Sequence, residues 1–307
     1  MADHADGAET PHSPPPPRGR AMDLTVVIPT VGRPILLEAL RRLTEGSVLP
    51  QRVVIADQGG ELPFEEWAAE LAPSGLVLDV HRNHATGRSV AVNAGIRQVS
   101  TRFVAITDDD CMAAPDWIET MAARLRAQPD AIVSGRVGSV GDGPNVDTAP
   151  SRRERRVTRP GITFDPLSGG NVGFSLDTFR RVGPFDEHPS VRAAEDGDWA
   201  YRALRRGVPI VYAPEVLVRH APWRDEAERK ARYRTYARSQ AGFYGKHIGR
   251  GDGFMALRAA VNTARAARRW ARGVIRRDRE LRMHGAAYVV HFLPGLLAGL
   301  RHRRDDA

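Results

Sequence analysis

The run from Phe103 to Thr107 is apolar and short enough for a buried strand, and it ends abruptly in three consecutive carboxylates, Asp108, Asp109 and Asp110. Acids packed at a strand end raise one another's pKa unless a divalent metal or a set of donors holds them ionised. Oxygen ligands of this kind suit magnesium or manganese. A fold that buries this strand must therefore bring its carboxyl end to a cation or to hydrogen-bond donors. Taken alone, the cluster reads equally well as an acidic turn capping a helix that begins near Pro115-Asp116-Trp117.

The surrounding chain sets a rhythm. Strands are predicted at 24–29, 52–57, 76–80 and 103–107, with helices at 34–44 and 89–99 between them. That alternation argues for an α/β sheet with mostly parallel neighbours, in which a ligand lies beyond the carboxyl ends of the strands. Pro29, Thr30, Asp57 and the acids at 108–110 fall at such ends. Asn83, Gly87, Arg88, Ser89, Asn93 and Gly95 form a polar turn entering a helix, able to offer backbone N–H groups and a guanidinium to phosphate. Residues 142–164, rich in Gly, Pro and Arg, are expected to form a long mobile loop, after which 167–174 returns to tight-turn chemistry. Glu195-Asp196 precedes a helix predicted at 199–206, where the pair can cap that helix or serve as a general base. Being adjacent, the two side chains diverge by about 100° on a helix, so only one is expected to face an acceptor. His220, after strand-like runs at 209–213 and 216–220, can be a structural residue or a metal ligand.

The charge is unevenly placed. Residues 224–307 hold 20 Lys+Arg against 8 Asp+Glu, or +12, leaving 25 against 29, or −4, for residues 1–223. Such a tail suggests an anionic surface or a solvated helix face. The lone cysteine, Cys111, excludes an intramolecular disulfide framework and fits a reducing compartment, with packing its expected role. Residues 1–21 read as a disordered Pro-rich leader with no secretory apolar segment. The stretch 286–300 is the most apolar but too short to span a bilayer, so it is expected to lie on a membrane rather than cross it.

The order of VVIPTVGR (26–33), VVIADQGG (53–60), RNHATGRSVAVNAG (82–95), FVAITDDDC (103–111), LSGGNVGF (167–174), GPFDE (183–187), AEDGDWAYRALRRG (194–207) and RHAPW (219–223) resembles family 2 glycosyltransferases. The resemblance implies a GT-A nucleotide-diphospho-sugar transferase fold, a mixed and mostly parallel α/β sheet flanked by helices, here with a C-terminal helical extension. It further implies metal-dependent transfer of a sugar from a nucleotide-diphosphate donor to an acceptor hydroxyl, with inversion. Pro29, Thr30 and Arg33 match the nucleotide-contacting first loop, Asp57 the acid that reads the base, and Arg88 and Asn93 the donor-side turn. Asp108 and Asp110 match the outer positions of the DXD signature around Asp109, all three on the donor side. Asp110, Asp108 and His220 match the metal ligands for Mg2+ or Mn2+. Gly169, Gly170 and Asn171 match the turn near the donor sugar, and Glu195 and Asp196 the acidic pair, with Asp196 favoured as base. Gln58-Gly59-Gly60 departs from the commoner ending after the base-reading acid, and no Gln-x-x-Arg-Trp follows the acidic pair, which favours a single transfer per encounter.

The expected division is a leader at 1–21, a glycosyltransferase domain at 22–223 and an Arg-rich helical extension at 224–307. In that extension, a helix over 257–277 should pack Leu257, Ala260, Val261, Ala264, Ala271 and Ile275 on one face and keep Arg258, Arg265, Arg269, Arg272 and Arg276 on another. The face offers anionic lipid a surface, consistent with a lipid-linked or cell-envelope acceptor and a cytoplasmic protein peripheral at the inner face of the plasma membrane. Nucleic-acid binding through the tail, without zinc-finger spacing or an aromatic RNA signature, and non-catalytic sugar-nucleotide binding are the rival readings.

Overall fold

The computed structural model describes residues 19–83, 85–140, 151–163, 165–221 and 226–305. Most of the expected leader, part of the 142–164 loop and Trp223 lie outside that set. Nine strands form one sheet: β1 (Arg20–Thr30), β2 (Leu49–Asp57), β3 (Leu78–Arg82), β4 (Phe103–Thr107), β5 (Cys111–Ala113), β6 (Ile132–Ser139), β7 (Arg155–Val157), β8 (Asn171–Ser175) and β9 (Ile210–His220). Helices α1 (Leu36–Thr44), α2 (Phe64–Leu71), α3 (Arg88–Arg97), α4 (Trp117–Ala127), α5 (Leu176–Val182) and α6 (Glu195–Arg205) flank it. Three long helices close the chain: α7 (Glu226–Gly249), α8 (Gly253–Ile275) and α9 (Arg279–Asp305).

The strand order is β3-β2-β1-β4-β8-β6-β9-β5, with β7 also on β9. Parallel pairings fill the β3-β2-β1-β4 half, whereas β8 runs antiparallel to β4 and β6, and β5 and β7 run antiparallel to β9. Both faces are covered, because successive β1 side chains go to opposite cores: Val26 and Ile28 pack with Leu40 and Trp117, while Val27 packs with Val92, Ile96 and Phe174. α1 shows the matching helical period, burying Leu36, Ala39, Leu40 and Leu43. The chain leaves β1 between β2 on one side and β4 on the other, and the crevice beyond that reversal is where ligands collect in such sheets.

Several boundaries differ from expectation. β1 begins at Arg20, inside the stretch read as leader, because its first residues pair with Leu49 and Pro50 of β2. The loop read over 142–164 contains β7, pinned on β9. The two runs before His220 form one continuous strand with a register shift between Gly135 and Arg136 of its neighbour. α6 starts at Glu195, so the acidic pair sits within its first turn, not ahead of it, and the cap position is Ala194.

The C-terminal helices also differ. α8 turns Met255, Arg258 and Ala259 inward and leaves Leu257 52% and Ile275 81% exposed, a rotation from the predicted face. Alanine-rich helices pack by their small positions, and here Gly273 abuts Leu281 and Arg282 while Arg258 pairs with Asp165 and covers the rings of Phe243 and Tyr244. α9 packs on α7 through Gly295 and Gly299, where any Cβ would strike backbone. Among the described residues, α9 contains one stretch long and apolar enough to cross a membrane by length and composition, Leu281–His302, which is longer than the segment read from the sequence.

Candidate active site

The register that aligns Thr30 with Asp57, and Val27 with Ile106, puts the ends of β1, β2 and β4 at one sheet edge. β9 adds His220, paired with Cys111 in the β5–β9 ladder. Residues 57, 108–110 and 220, far apart in sequence, therefore share one edge of the sheet.

The loop after β1 is tied to the acids. Thr30 Oγ1 donates to Asp109 Oδ2 at 2.7 Å and accepts from the N–H groups of Gly32 and Arg33. Arg33 reaches Asp109 at 3.2 Å and Asp110 at 2.9 Å. Asp109 is thus turned into the loop and committed to Thr30 and Arg33. Burial pushes its carboxyl up to about 6, against the pull of Arg33 and the Thr30 hydrogen bond. Asp110 faces His220 Nε2 at 3.4 Å with both side chains nearly inaccessible. Ligand atoms of Asp108, Asp110 and Cys111 lie within 4.8 Å of one another. Burial and the charges of Asp108 and Asp110 push the Cys111 thiol well above its usual range; the hard donors of the cluster are the carboxylate oxygens of Asp108 and Asp110, with the His220 imidazole beside Asp110. That donor set fits a hard divalent ion such as Mg2+ or Mn2+.

Arg88, the first residue of α3, bridges this cluster to the acidic pair. Its Nε donates to Asp108 at 3.0 Å, one terminal nitrogen lies 3.2 Å from Asp196 and 3.5 Å from Glu195, and the other donates to the Gly169 carbonyl at 2.9 Å. The two adjacent acids were expected to diverge, yet both reach the same guanidinium. A Cβ on Gly169 would overlap the Asp196 carboxylate at 2.1 Å, and one on Gly170 would crowd Asp108 at 3.0 Å. Burial pushes both acids upward against the pull of Arg88, and the neighbouring Asp196 charge helps bring Glu195 to about 8. The side chains differ in access, 6% exposed for Glu195 and 29% for Asp196, so Asp196 is the one open to the crevice.

Asp57 is fully buried; its Oδ1 accepts from Gly59 and Gly60, while Oδ2 has no partner among the described residues. Pro29 is buried in β1 opposite Ala56. After Asp109, two further residues assigned to the donor are committed to contacts within the scaffold. Asn93 gives both amide protons to Phe185 O and Glu187 and accepts from the Phe185 N–H. Asn171 accepts from the Trp117 indole and donates to Arg136 O and Val216 O. A polar residue beside a Gly-Gly turn looks the same in sequence whether its amide faces ligand or backbone.

The stretch 25–182, just over half of the chain, matches the family model "Glycosyl transferase family 2". The chain belongs to glycosyl transferase family 2. Asp57, Arg88 and the acids at 108–110 fall inside the matched stretch, whereas α6 and β9 bring Glu195, Asp196 and His220 from beyond it. Among curated relatives, the pre-mycofactocin glycosyltransferase of Mycobacterium tuberculosis is 29% identical over 241 residues, covering 74% of this chain and 49% of that protein. The chain thus spans about half the length of that relative. Glycosyltransferase AglE of Haloferax volcanii is 24% identical over 207 residues, covering 64% of this chain and 66% of its own. The mannosyltransferase PcManGT from Pyrobaculum calidifontis, solved with GDP-Man and Mn2+, shares the fold at a TM-score of 0.58, with 19% identity, over 93% of this chain and 88% of that one. S. aureus TarS 1–349 in complex with UDP-GlcNAc aligns at 0.54 with 12% identity, covering 92% of each chain. These likenesses establish the GT-A fold for this family 2 member, including the presence of helices after the sheet domain.

Proposed function

We propose that this protein is a metal-dependent, inverting glycosyltransferase that moves a sugar from a nucleotide-diphosphate donor to an acceptor hydroxyl. The observation that carries the reading is the convergence on Arg88 of Asp108 from the acid cluster and of the Glu195-Asp196 pair. Asp57 Oδ2, buried and unpartnered, is suited to accept from a nucleoside base, and Thr30 with Arg33 shapes the loop over it. Arg88 supplies positive charge for the diphosphate, between that cluster and the acceptor side. Asp108, Asp110 and His220 would hold a divalent ion, which neutralises charge on the departing nucleoside diphosphate. Asp196 takes the proton of the acceptor hydroxyl as that hydroxyl's oxygen forms a bond to the anomeric carbon from the face opposite the breaking bond to diphosphate, which inverts that carbon without a covalent enzyme intermediate. Solved structures of this fold with GDP-Man and Mn2+, and with UDP, GalNAc and Mn2+, support both donor class and ion.

A panel of nucleotide sugars, scored for nucleoside diphosphate release with and without manganese, tests the reading. Asp110→Asn is expected to lose the metal-dependent gain and about 100-fold in kcat/KM, because a bound ion stabilises the leaving group by several kcal/mol. His220→Ala should lose less, since carboxylates remain. Full activity of Asp110→Asn in chelator would remove the metal from the mechanism.

The acceptor is proposed to be a lipid-linked or envelope glycan, reached from a peripheral position at the cytoplasmic face of a membrane. Support comes from α9, which exposes Val289, Val290, Leu293 and Leu297, and from α8, which exposes Trp270, Val274 and Ile275 beside Arg268, Arg272 and Arg276. Apolar side chains flanked by cations suit an anionic lipid interface. The paired substitution Val290→Glu with Leu293→Glu leaves the buried contacts in place and should weaken binding to anionic liposomes by at least about tenfold, given ~1.5–3 kcal/mol for burying each large apolar side chain. Binding should also fall with salt. Equal sedimentation of variant and parent on anionic vesicles would exclude this face.

A further inference from the structure

Behind the cleft, where α7 meets α6 and α9 packs on α7, lies a buried charged cluster that the chemistry above does not use. Asp198 is fully buried two residues after Asp196 on α6. Its Oδ1 receives Lys246 Nζ and His247 Nε2, each at 2.7 Å, and its Oδ2 receives Arg202 Nε at 2.8 Å. Lys246 also reaches Asp186 at 2.6 Å, and His302 of α9 reaches the same carboxylate at 2.8 Å. The residue after Asp186, Glu187, takes one amide proton of Asn93 on α3, the helix that begins with Arg88. One network therefore grips both helices whose ends meet at the Arg88 bridge.

The sequence carries its own signal for this cluster. Of 45 basic residues in the chain only two are lysines, Lys230 and Lys246. A compact ammonium with three donors can sit between two carboxylates, where a planar guanidinium would need more room. Lys246 is 3% exposed and does so.

We infer that Lys246 and His247 are positioning residues for sugar transfer, fixing α6 through Asp198 so that Glu195 and Asp196 in its first turn stand against Arg88 and Gly169. Asp198 lies about 3–4.5 Å along the helix axis from the pair, so a shift of its anchor is delivered almost undiminished to the acids. The inference rests on the sugar-transfer reading of the cleft. It adds that the C-terminal helices are part of the acceptor-side machinery.

The test uses the full chain with Lys246→Met and His247→Gln. Thermal melting reports the fold, binding of UDP and GDP with Mn2+ reports the donor side, and single-turnover transfer from a donor that the parent accepts reports the acids. Lys246→Met should bind nucleotide diphosphate within about threefold of the parent yet transfer roughly 10- to 100-fold more slowly, as misplacement of a catalytic group by about an ångström does. His247→Gln should show the same split, smaller. Parental transfer by folded Lys246→Met overturns the inference, as does a parallel fall in transfer and nucleotide affinity, which marks general loosening. If Lys246→Met does not fold, His247→Gln decides by the same criteria. A parent that releases nucleoside diphosphate from no donor overturns the sugar-transfer reading and this one with it, whereas an active parent with unaffected variants overturns this one alone.

Discussion

Replacing Asp196 with asparagine is expected to slow sugar transfer by about 10²- to 10⁴-fold, the usual contribution of one general base. The substitution keeps the shape against Gly169 and removes the proton-accepting oxygen, so nucleotide-diphosphate affinity should stay near the parental value. Glu195→Gln is the comparison. Glu195 is the more enclosed of the two, and burial together with the neighbouring Asp196 charge pushes its carboxyl up to about 8, whereas Asp196 is the more open to the acceptor side. Both carboxyls are raised, so the transfer rate should climb with pH as the pair ionises, and Asp196→Asn should abolish that limb. Single-turnover rates across pH decide: a parental rate for Asp196→Asn beside an inactive Glu195→Gln would reverse the two roles, and two active variants would clear both.

Asp198→Ala is expected to be the most damaging change to stability away from the apolar core. It leaves the buried Lys246 with one carboxylate instead of two and strips Arg202 and His247 of their shared acceptor. Removing one partner of a buried ion pair costs about 3–5 kcal/mol, and Asp186 still faces Lys246, which favours the lower end. The melting temperature should fall by on the order of 10 °C. Burial alone would push the Asp198 carboxyl up, but the His247 hydrogen bond and the charges of Lys246 and Arg202 hold it well below its usual value of 3.8. Its folded pKa being depressed, the stability it contributes is present above that usual value and is lost as pH falls below it. Melting curves of parent and variant should therefore converge in acid. A pH-independent gap, or no gap at neutral pH, would contradict the assignment.

The parts of this fold legible in the sequence are those encoded locally. β4 with its acids, β2 ending in Asp57 and α1 with its three-four spacing follow from apolar periodicity and turn residues. The direction of β8 and the merging of two runs into β9 depend on partners far along the chain, and no local pattern specifies them. The site divides the same way. That acids at strand ends gather at one edge follows from the topology, whereas the commitment of Asn93 to Phe185 and of Asn171 to Trp117 depends on which way an amide turns. The misread face of α8 has a related cause. Counting Arg258 as solvated is reasonable until Asp165 and two aromatic rings arrive from elsewhere to receive it.

The grip of Lys246 and His302 on Asp198 and Asp186 bears on how enzymes of this family can be recombined. A graft that joined this sheet domain to another relative's closing helices would deliver two buried carboxylates without Lys246, His247 and His302, leaving Asp198 only Arg202 of its own helix, and α6 would lose its anchor at the moment the new piece was supposed to redirect it. On the sugar-transfer reading proposed above, exchanging acceptor preference between relatives means moving α6 together with α7 and α9 as one inherited block, whose hold reaches back through Arg202 to the carbonyls of Val182 and Pro184.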